Sequence, residues 1–327
     1  MNSGRLMKMV VAVTALGCGT QVIAADAVKD YPTRPIRLLV PNGPGSAVDT
    51  LARIVATHLS PMIGQSIVLD NRAGAAGIIG MEIAKEANPD GYTLMTATTA
   101  ASTIARLLQK KPTFNPTTDY DYVGQFAVTL SVLVVYPKLP VNSVKELIAY
   151  AKSGKKPFNM ATAGVGSQSH LAGAYFVQRA QIESLHVPYK GGGPSSGSVA
   201  SGESQWTLIP APAAMGHIGA GRLRPLAHTL PKPTPLLPGV PPIADTIPGF
   251  DYTGWMGLFV PKGTPKSVTA KLQAGVVKTM ATPEVKTAMA RQATEIVVRG
   301  PAEFRKVVQD DMVKNEKLVK ALGLTAY

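Results

Sequence analysis

Ile36 to Asp49 reads Ile-Arg-Leu-Leu-Val-Pro-Asn-Gly-Pro-Gly-Ser-Ala-Val-Asp: an apolar run, then a Gly/Pro loop, then the start of an amphipathic helix. This order predicts a strand, a loop and a helix N-terminus. The first turn of a helix carries backbone N–H groups without intrahelical partners, and the positive end of the helix dipole points outward. Such a turn attracts an anion, so the stretch predicts one anion-binding turn.

A second stretch, Phe158–Leu171, repeats the order: Phe-Asn-Met-Ala-Thr-Ala leads into Gly164-Val165-Gly166-Ser167 and then into a helix expected to begin near Gln168–His170. Between and around the two turns, apolar strand patterns alternate with helical ones. This alternation predicts an α/β fold with mainly parallel, doubly wound sheets. Two anion-binding turns suggest the two walls of one cleft.

The length of 327 residues favours two domains. Two long apolar stretches, Val123–Tyr136 and Tyr252–Val260, are each long enough to leave one domain and enter another. We therefore expect residues 26–122 plus 252–327 to form domain 1. Residues 123–251 would form an inserted domain 2, which includes the first crossing strand and a proline-rich connection at Pro231–Pro242.

Two further expectations concern helix ends. The helix after the first loop should stop at Pro61, because proline lacks the N–H that continues a helix. Two amphipathic helices, Lys266–Met280 and Pro301–Leu322, should close the chain.

Residues 1–25 have the pattern of a cleaved secretory signal, because Arg5 and Lys8 precede an apolar run from Met9 to Leu16. That run is shorter than the roughly 20 apolar residues that cross a bilayer. We therefore expect an exported mature protein. The single cysteine, Cys18, lies in this segment, and its partial match to a lipoprotein cleavage site leaves lipidation as an alternative.

The charge of the chain favours anionic partners. The formal net charge is +13, and removal of Arg5 and Lys8 with the signal leaves about +11. The basic residues are scattered and lack interleaved aromatic residues, so nucleic acid is not an expected partner. The first loop has neither the Lys of a phosphate-binding P-loop nor the spacing of a dinucleotide fingerprint, so no cofactor is expected.

A serine hydrolase is one alternative, since Gly193-Pro194-Ser195-Ser196-Gly197 matches the nucleophile elbow G-x-S-x-G after a strand. No histidine follows Asp245, so the order Ser, Asp, His fails unless Glu203 supplies the acid. The five histidines also lack paired metal-ligand spacing. We therefore expect neither an enzyme nor a metal site.

Several polar side chains near the loops have two alternative roles. Thr98 and Thr99 follow a strand, where open α/β sheets bind ligands, but either could instead cap a helix. Asp49 could contact ligand or cap N–H groups. His170 could bond to ligand or hold its own loop in place.

The chain also carries a series of longer motifs, in the order Tyr31-Pro-Thr-Arg-Pro-Ile-Arg, Pro41–Asp49, Asp70-Asn71-Arg72-Ala-Gly-Ala-Ala-Gly, Pro89-Asp90-Gly91-Tyr92, Gly164–Leu171, His186-Val-Pro-Tyr-Lys-Gly and Ala220-Gly221-Arg222-Leu223-Arg224. Together they resemble the solute receptors of tripartite tricarboxylate transporters, the Bug family. The resemblance implies a two-domain receptor of the periplasmic binding protein, or Venus flytrap, type. Such a receptor closes on a small carboxylate and delivers it to membrane permease subunits.

The resemblance further implies a monomer in the periplasm of a Gram-negative bacterium. A periplasmic sensor that presents ligand to a signalling partner is an alternative, because it would use the same pocket. The first loop departs from the family pattern Pro-Phe-x-Pro-Gly-Gly, since Asn42 and Ser46 replace the aromatic residue and the second glycine.

The expected ligand is a mono- or dicarboxylate without an amine. Leu208-Ile209-Pro210 stands where amino-acid-binding members of the family have Phe-Asp, so the carboxylate that would pair with a ligand ammonium is missing. The apolar wall of this segment also suits an aromatic acid. The expected ligand-binding residues are Asn42, Gly43, Gly45, Ser46, Ala47, Asp49, Thr98, Thr99, Ala163, Gly164, Val165, Gly166, Ser167, His170, Tyr189, Ile209, Pro210 and Ala211.

Overall fold

The computed structural model describes residues 30–154 and 158–324, so the predicted signal and Cys18 lie outside the described residues. Within these ranges, ten strands form one mixed sheet. Their bounds are β1 Ile36–Val40, β2 Ile67–Asn71, β3 Thr93–Thr98, β4 Tyr120–Val135, β5 Asn159–Thr162, β6 Leu185–Pro188, β7 Trp206–Pro210, β8 Arg224–His228, β9 Thr253–Pro261 and β10 Thr294–Arg299.

The helices pack against this sheet and connect its strands. Their bounds are α1 Ala47–Ile63, α2 Ile78–Lys85, α3 Ala105–Leu107, α4 Val144–Lys152, α5 Gln168–Ala180, α6 Gly192–Ser201, α7 Met215–Gly219, α8 Lys266–Ala281, α9 Pro283–Arg291 and α10 Pro301–Ala321. Short helical turns of other types lie at Ala75–Gly77, Ala100–Ile104, Ala211–Ala213 and Ile243–Asp245. Among the described residues, no helix combines the length and the apolar character that a membrane span requires.

The sheet runs in the order β2-β1-β3-β9-β4-β7-β5-β6, with β8 and β10 paired to β4. Strands β1, β2 and β3 are parallel to one another, as are β5, β6 and β7, whereas β4 and β9 run antiparallel to their neighbours. We call β1, β2, β3, β9 and β10 the first strand group and β5 to β8 the second strand group. The α/β prediction is confirmed, with antiparallel strands between two parallel sets.

Strand β4 belongs to both groups, as the long apolar stretch predicted. Tyr120–Leu130 pairs with β9, and Ser131–Val135 pairs with β7. The return of the chain is shorter than predicted, because Tyr252 packs in the core of the second group while β9, from Thr253 on, pairs only within the first group and β4. The residue boundaries of two domains therefore remain a prediction.

Each strand group has its own apolar core. In the first, Leu51, Val55 and Leu59 of α1 pack with Leu272 and Val276 of α8. They recur at helical spacing, so α1 buries one face. In the second, side chains from β4, α5 and β7 pack together, among them Leu133, Phe176 and Trp206.

The predicted end of α1 at Pro61 is wrong. The helix continues to Ile63 and ends at Gly64, whose φ of 81° and N–H bond to Ser60 O (3.1 Å) form a left-handed C-cap. Pro61 lies in the last turn, where its missing N–H removes a single helical hydrogen bond. The helix expected from near Gln168–His170 begins at Gln168, because Ser167 is its N-cap.

Four elements were not predicted, namely the short helix α3, the helices α6 and α9, and the strand β10. Helix α9 begins after Thr282, whose Oγ1 accepts from Val285 N (3.4 Å), with Pro283 in its first turn. This cap and proline are ordinary helix-start signals in the sequence. Strand β10 pairs antiparallel with β4, so a helix and a strand lie between the two C-terminal helices that were expected.

Candidate functional site

The first loop folds into a tight turn at the N-terminus of α1. Gly45 has a φ of 74°, a conformation that glycine adopts without strain, and Ser46 follows as the N-cap. The Ser46 hydroxyl accepts from Asp49 N at 3.2 Å. The Asp49 carboxylate in turn accepts from Gly45 N at 3.0 Å. Asp49, at the third position of the helix, thus fixes Gly45, the residue before the cap Ser46.

The second loop forms the same turn at the N-terminus of α5. Gly166 has a φ of 78°, and the Ser167 hydroxyl accepts from His170 N at 3.2 Å. Gly166 N donates to His170 Nδ1 at 3.3 Å. The backbone angles of the two caps are nearly identical, with φ and ψ of −73° and 161° at Ser46 and −75° and 161° at Ser167. The pattern Gly-Ser-x-x-acceptor therefore builds both turns.

Both helix N-termini border one inner cavity of about 50 Å³, which Ser46, Ala47 and Val48 line from α1 and Ser167 and Gln168 line from α5. The first intrahelical hydrogen bond is accepted by Ser46 O in α1 and by Ser167 O in α5. The N–H groups at the first two positions of each helix lie before that bond and have no partner within the helix. The cavity therefore lies between the positive ends of two helix dipoles. Its other lining residues are Asn42, Thr98, Ala100, Thr129, Ala163, Gly192, Ile209, Pro210, Ala213, Trp255 and Met256.

A wider outer cavity of about 700 Å³ continues from the inner one. Asn42 and Ala163, one from each loop, line both cavities and so mark the neck between them. The other residues of the outer cavity are Pro41, Gly43, Ala73, Gly74, Ala75, Ala76, Gly77, Gly164, Val165, Tyr189, Lys190 and Gly191. No acidic side chain is among the described residues that line either cavity. The N–H groups of the two helix ends therefore face no acidic side chain among these lining residues.

The two walls of the cleft approach each other closely. A Cβ on Gly193 would lie 3.6 Å from Pro44 O, and one on Gly166 would lie 3.4 Å from Ala76 Cβ. The second strand group thus contacts the first on both sides of the inner cavity. This close approach explains why the inner cavity is so small.

Residues 51–324 match the model of the tripartite tricarboxylate transporter family receptor. The chain belongs to this receptor family. The protein BugT of Bordetella pertussis is 32% identical to it over 99% of both chains. The resemblance seen in the sequence motifs is confirmed.

Solved structures give the receptor its fold type. A Rhodopseudomonas palustris protein solved with adipate is 31% identical, with a TM-score of 0.88 over 91% of this chain and 100% of that one. MatC from Rhodopseudomonas palustris, solved with malate, is 26% identical, with a TM-score of 0.83 over 88% and 100%. The predicted periplasmic binding protein type of fold is confirmed.

Proteins of this family are solute-binding receptors and not enzymes, which confirms the prediction that this chain is no enzyme. The geometry of Ser195 agrees with this. The serine is fully buried in the first turn of α6, and its Oγ has no hydrogen-bond partner among the described residues. A nucleophile elbow instead exposes its serine at the turn beside a base.

The structure brings most of the expected ligand-binding residues to the cleft. Of these, Asn42, Ser46, Ala47, Thr98, Ala163, Ser167, Ile209 and Pro210 line the inner cavity, and Gly43, Gly164, Val165 and Tyr189 line the outer one. Thr98 also caps the following helical turn, because its Oγ1 accepts from Ala101 N at 3.1 Å. The capping role is thus present, and Thr98 also lines the inner cavity, while its contact with ligand stays a prediction.

The other expected residues lie behind the cavity walls. Asp49 bonds to Gly45 N, to Arg53 Nε (3.0 Å) and to Asn71 Nδ2 (3.0 Å). Burial alone would raise the pKa of Asp49, but these hydrogen bonds lower it below its usual value. Thr99 Oγ1 accepts from Trp255 N at 3.0 Å. Gly45 and Gly166 shape the two turns, and Ala211 is fully buried in the helical turn after β7.

His170 holds its loop by a bond that requires a neutral ring. Its ring stacks on that of His186, with centroids 4.3 Å apart, and His186 Nε2 lies 2.7 Å from Thr162 Oγ1. Burial, and then the proximity of His186, lower the pKa of His170 to about 4. Burial also lowers the pKa of His186. At neutral pH, His170 Nδ1 can therefore accept the Gly166 N–H.

Several cleft residues were not expected from the sequence. Thr129 comes from β4, which joins the two groups, and Trp255 and Met256 come from its neighbour β9. Gln168 follows directly after the cap Ser167. The position of Gln168 after a predicted anion-binding loop was the one available signal. The strand residues carried none, because their place depends on how β4 and β9 cross.

Proposed function

We propose that this receptor captures a small organic carboxylate in its cleft and delivers it to a tripartite tricarboxylate-type membrane transporter from the periplasm. The observation that carries the proposal is the inner cavity, where two matched helix N-termini meet. A carboxylate placed there accepts N–H bonds from both strand groups at once, so binding favours the closed arrangement.

We propose further that the ligand lacks an amine. Neither cavity offers a described acidic side chain, and both oxygens of the nearby Asp49 are already bonded. A buried ammonium without a carboxylate partner is strongly disfavoured. The apolar wall of Ile209, Pro210 and Ala213 suits the carbon skeleton of an aliphatic or aromatic acid. Solved relatives with adipate and malate support the carboxylate class.

Calorimetric titration of the mature protein with a panel of aliphatic and aromatic carboxylates tests this proposal. We expect at least one acid to bind well below millimolar concentration. Asn42→Asp should weaken that binding by at least about tenfold, because it places a negative charge at the neck of the cavity, where it repels the carboxylate of the ligand. Asn88→Asp, the same change at an exposed turn outside the cleft, is the matched control.

Two results would contradict the proposal. If no acid of the panel bound below millimolar concentration, the receptor would not be a carboxylate receptor. If Asn42→Asp behaved like Asn88→Asp, the ligand would not enter through the neck. Delivery is tested separately, by uptake of the bound acid in cells with and without the gene; unchanged uptake would speak against transport and for the sensor.

A further inference from the structure

Gln168 is placed to contact both the ligand and the strands that join the two halves of the receptor. It is the first residue of α5, so its own N–H is one of the groups without an intrahelical partner beside the inner cavity. Its side chain is buried in the wall of the inner cavity. From there it reaches β4, where Nε2 lies 3.5 Å from Ser131 Oγ, and it packs on Gly254 of β9.

Because Gly254 has no side chain, it leaves the space in which the Gln168 amide lies. A Cβ at this position would lie 2.5 Å from Gln168 Oε1, 2.7 Å from Nε2 and 2.8 Å from Cδ. The amide therefore lies flat against the backbone of β9. Gly254 is not among the glycines with positive φ, so close packing rather than backbone conformation is the reason for a glycine here.

The hydrogen-bonding capacity of this amide is largely unused. A primary amide can take part in about four hydrogen bonds. Among the described residues, Gln168 makes one side-chain bond, and its length of 3.5 Å is at the outer limit. A buried amide with free donor and acceptor positions is disfavoured unless a ligand or water completes them.

We propose that Gln168 is a specificity-determining residue that selects a hydroxyl on the ligand carbon next to the bound carboxylate. The proposal rests on the proposed function, because the carboxylate must lie between the helix N-termini. Gln168 lines the inner cavity and begins α5 beside those N–H groups, so in this proposal its amide lies next to the carbon that bears the carboxylate. An uncharged amide satisfies a hydroxyl as donor or acceptor but cannot neutralise an ammonium. The ligand class is thus a 2-hydroxy acid.

The test uses succinate, malate and aspartate, which differ only in bearing hydrogen, hydroxyl or ammonium at that carbon. Calorimetry should show wild-type affinity in the order malate, succinate, aspartate, with malate favoured over succinate by about threefold to tenfold, the range of one hydrogen bond. Gln168→Met should abolish that preference while keeping succinate affinity within about threefold. Gln168→Glu should raise the ratio of aspartate to malate affinity at least about tenfold.

Gly254→Ala tests whether the position of the Gln168 amide matters, because it displaces the amide without changing its chemistry. The flexible end of Gln168 must move away from the new Cβ, so this variant should lose the malate preference as Gln168→Met does. Gly197→Ala on α6, where a Cβ would meet nothing within 4 Å, is the matched control and should keep it. A thermal melt of each variant confirms that it is folded.

The outcomes separate this inference from the proposed function. If Gln168→Met and Gly254→Ala leave the malate preference unchanged, or Gln168→Glu leaves the ratio of aspartate to malate affinity unchanged, Gln168 does not select the ligand, although the receptor still binds carboxylates. If the wild type binds none of the three acids, the inference is overturned, and the wider panel alone decides whether the receptor binds carboxylates.

Discussion

His170 is the residue at which pH should act on the cleft. Its folded-state pKa of about 4 lies below the unfolded value of 6.5, so the unfolded chain binds the proton more readily between these limits. The stability that a neutral His170 contributes is complete above pH 6.5 and is lost as pH falls towards 4. The loss should reach about 3 kcal/mol, measured by urea unfolding at a series of pH values.

His170→Asn separates titration from hydrogen bonding. An asparagine oxygen at this position can accept the Gly166 N–H, as Asp49 accepts Gly45 N in the first turn, and it does not titrate. We expect this variant to unfold with a flatter pH dependence. His186, His217 and His228, whose pKa values burial also lowers, contribute to the remainder. His58→Asn, on α1 outside the cleft, is the control. An equally steep dependence in His170→Asn would show that another group is responsible.

The roles of single residues show what the sequence can and cannot predict. Ser46 and Ser167 were predicted only as ligand-binding residues, although a serine at a helix start is also the local signature of a cap. The contacts of Asp49 and Thr99 could not be predicted, since their partners Asn71 and Trp255 lie far along the chain. For Asp49, Thr98 and His170 the sequence could name the competing roles, and only the distances show which bonds form.

At the scale of elements, the two matched turns predict a graded effect of glycine substitution. Gly43→Ala should be nearly neutral, because Gly43 has ordinary φ and open space around its Cβ position. Gly45→Ala should cost about 1–2 kcal/mol of unfolding free energy, because alanine is strained at a φ of 74° in otherwise open space. Denaturant unfolding of both variants measures the difference; equal stabilities would contradict it.

Gly166→Ala adds a contact to the same backbone strain. Its Cβ would lie 3.3 Å from Leu108 Cδ1 and 3.4 Å from Ala76 Cβ, and Ala76 belongs to the opposite wall of the cleft. We therefore expect a stability loss like that of Gly45→Ala and, in addition, weaker binding of the tightest acid in the panel, because closure brings these atoms together. If Gly45→Ala weakened binding as much as Gly166→Ala does, the contact across the cleft would have no part in closure.

Helix α6 shows why some elements escape sequence analysis. Its sequence, Gly-Gly-Pro-Ser-Ser-Gly-Ser-Val-Ala-Ser, has low helix propensity and reads as a loop. In the fold, the hydroxyls of Ser196, Ser198 and Ser201 bond to carbonyl oxygens three or four residues earlier, and Val199 packs in the core beside β7. Tertiary packing, which a local pattern does not contain, stabilises this helix.

For the whole molecule, the alternation of strands and helices predicted the fold class and the long shared strand β4. It did not predict how much of each half packs on the other. Ile104 and Leu108, at the ends of the helical turns that follow β3, and Val319, from the end of α10, lie in the core of the second strand group. Phe304, nearer the start of α10, lies in the core of the first. The C-terminal helix therefore connects both cores.

This sharing predicts that the two halves unfold together, and the two tryptophans of the chain can report on each half separately. Trp206 lies in the second core and Trp255 in the first. In Trp206→Phe and in Trp255→Phe, fluorescence follows one half, while circular dichroism follows the whole molecule. Because β4 and α10 span both halves, the two signals should have the same urea midpoint within each variant. A fluorescence midpoint that departs from the circular dichroism midpoint in either variant would show that the halves unfold independently, and closure of the cleft would then depend on ligand binding alone.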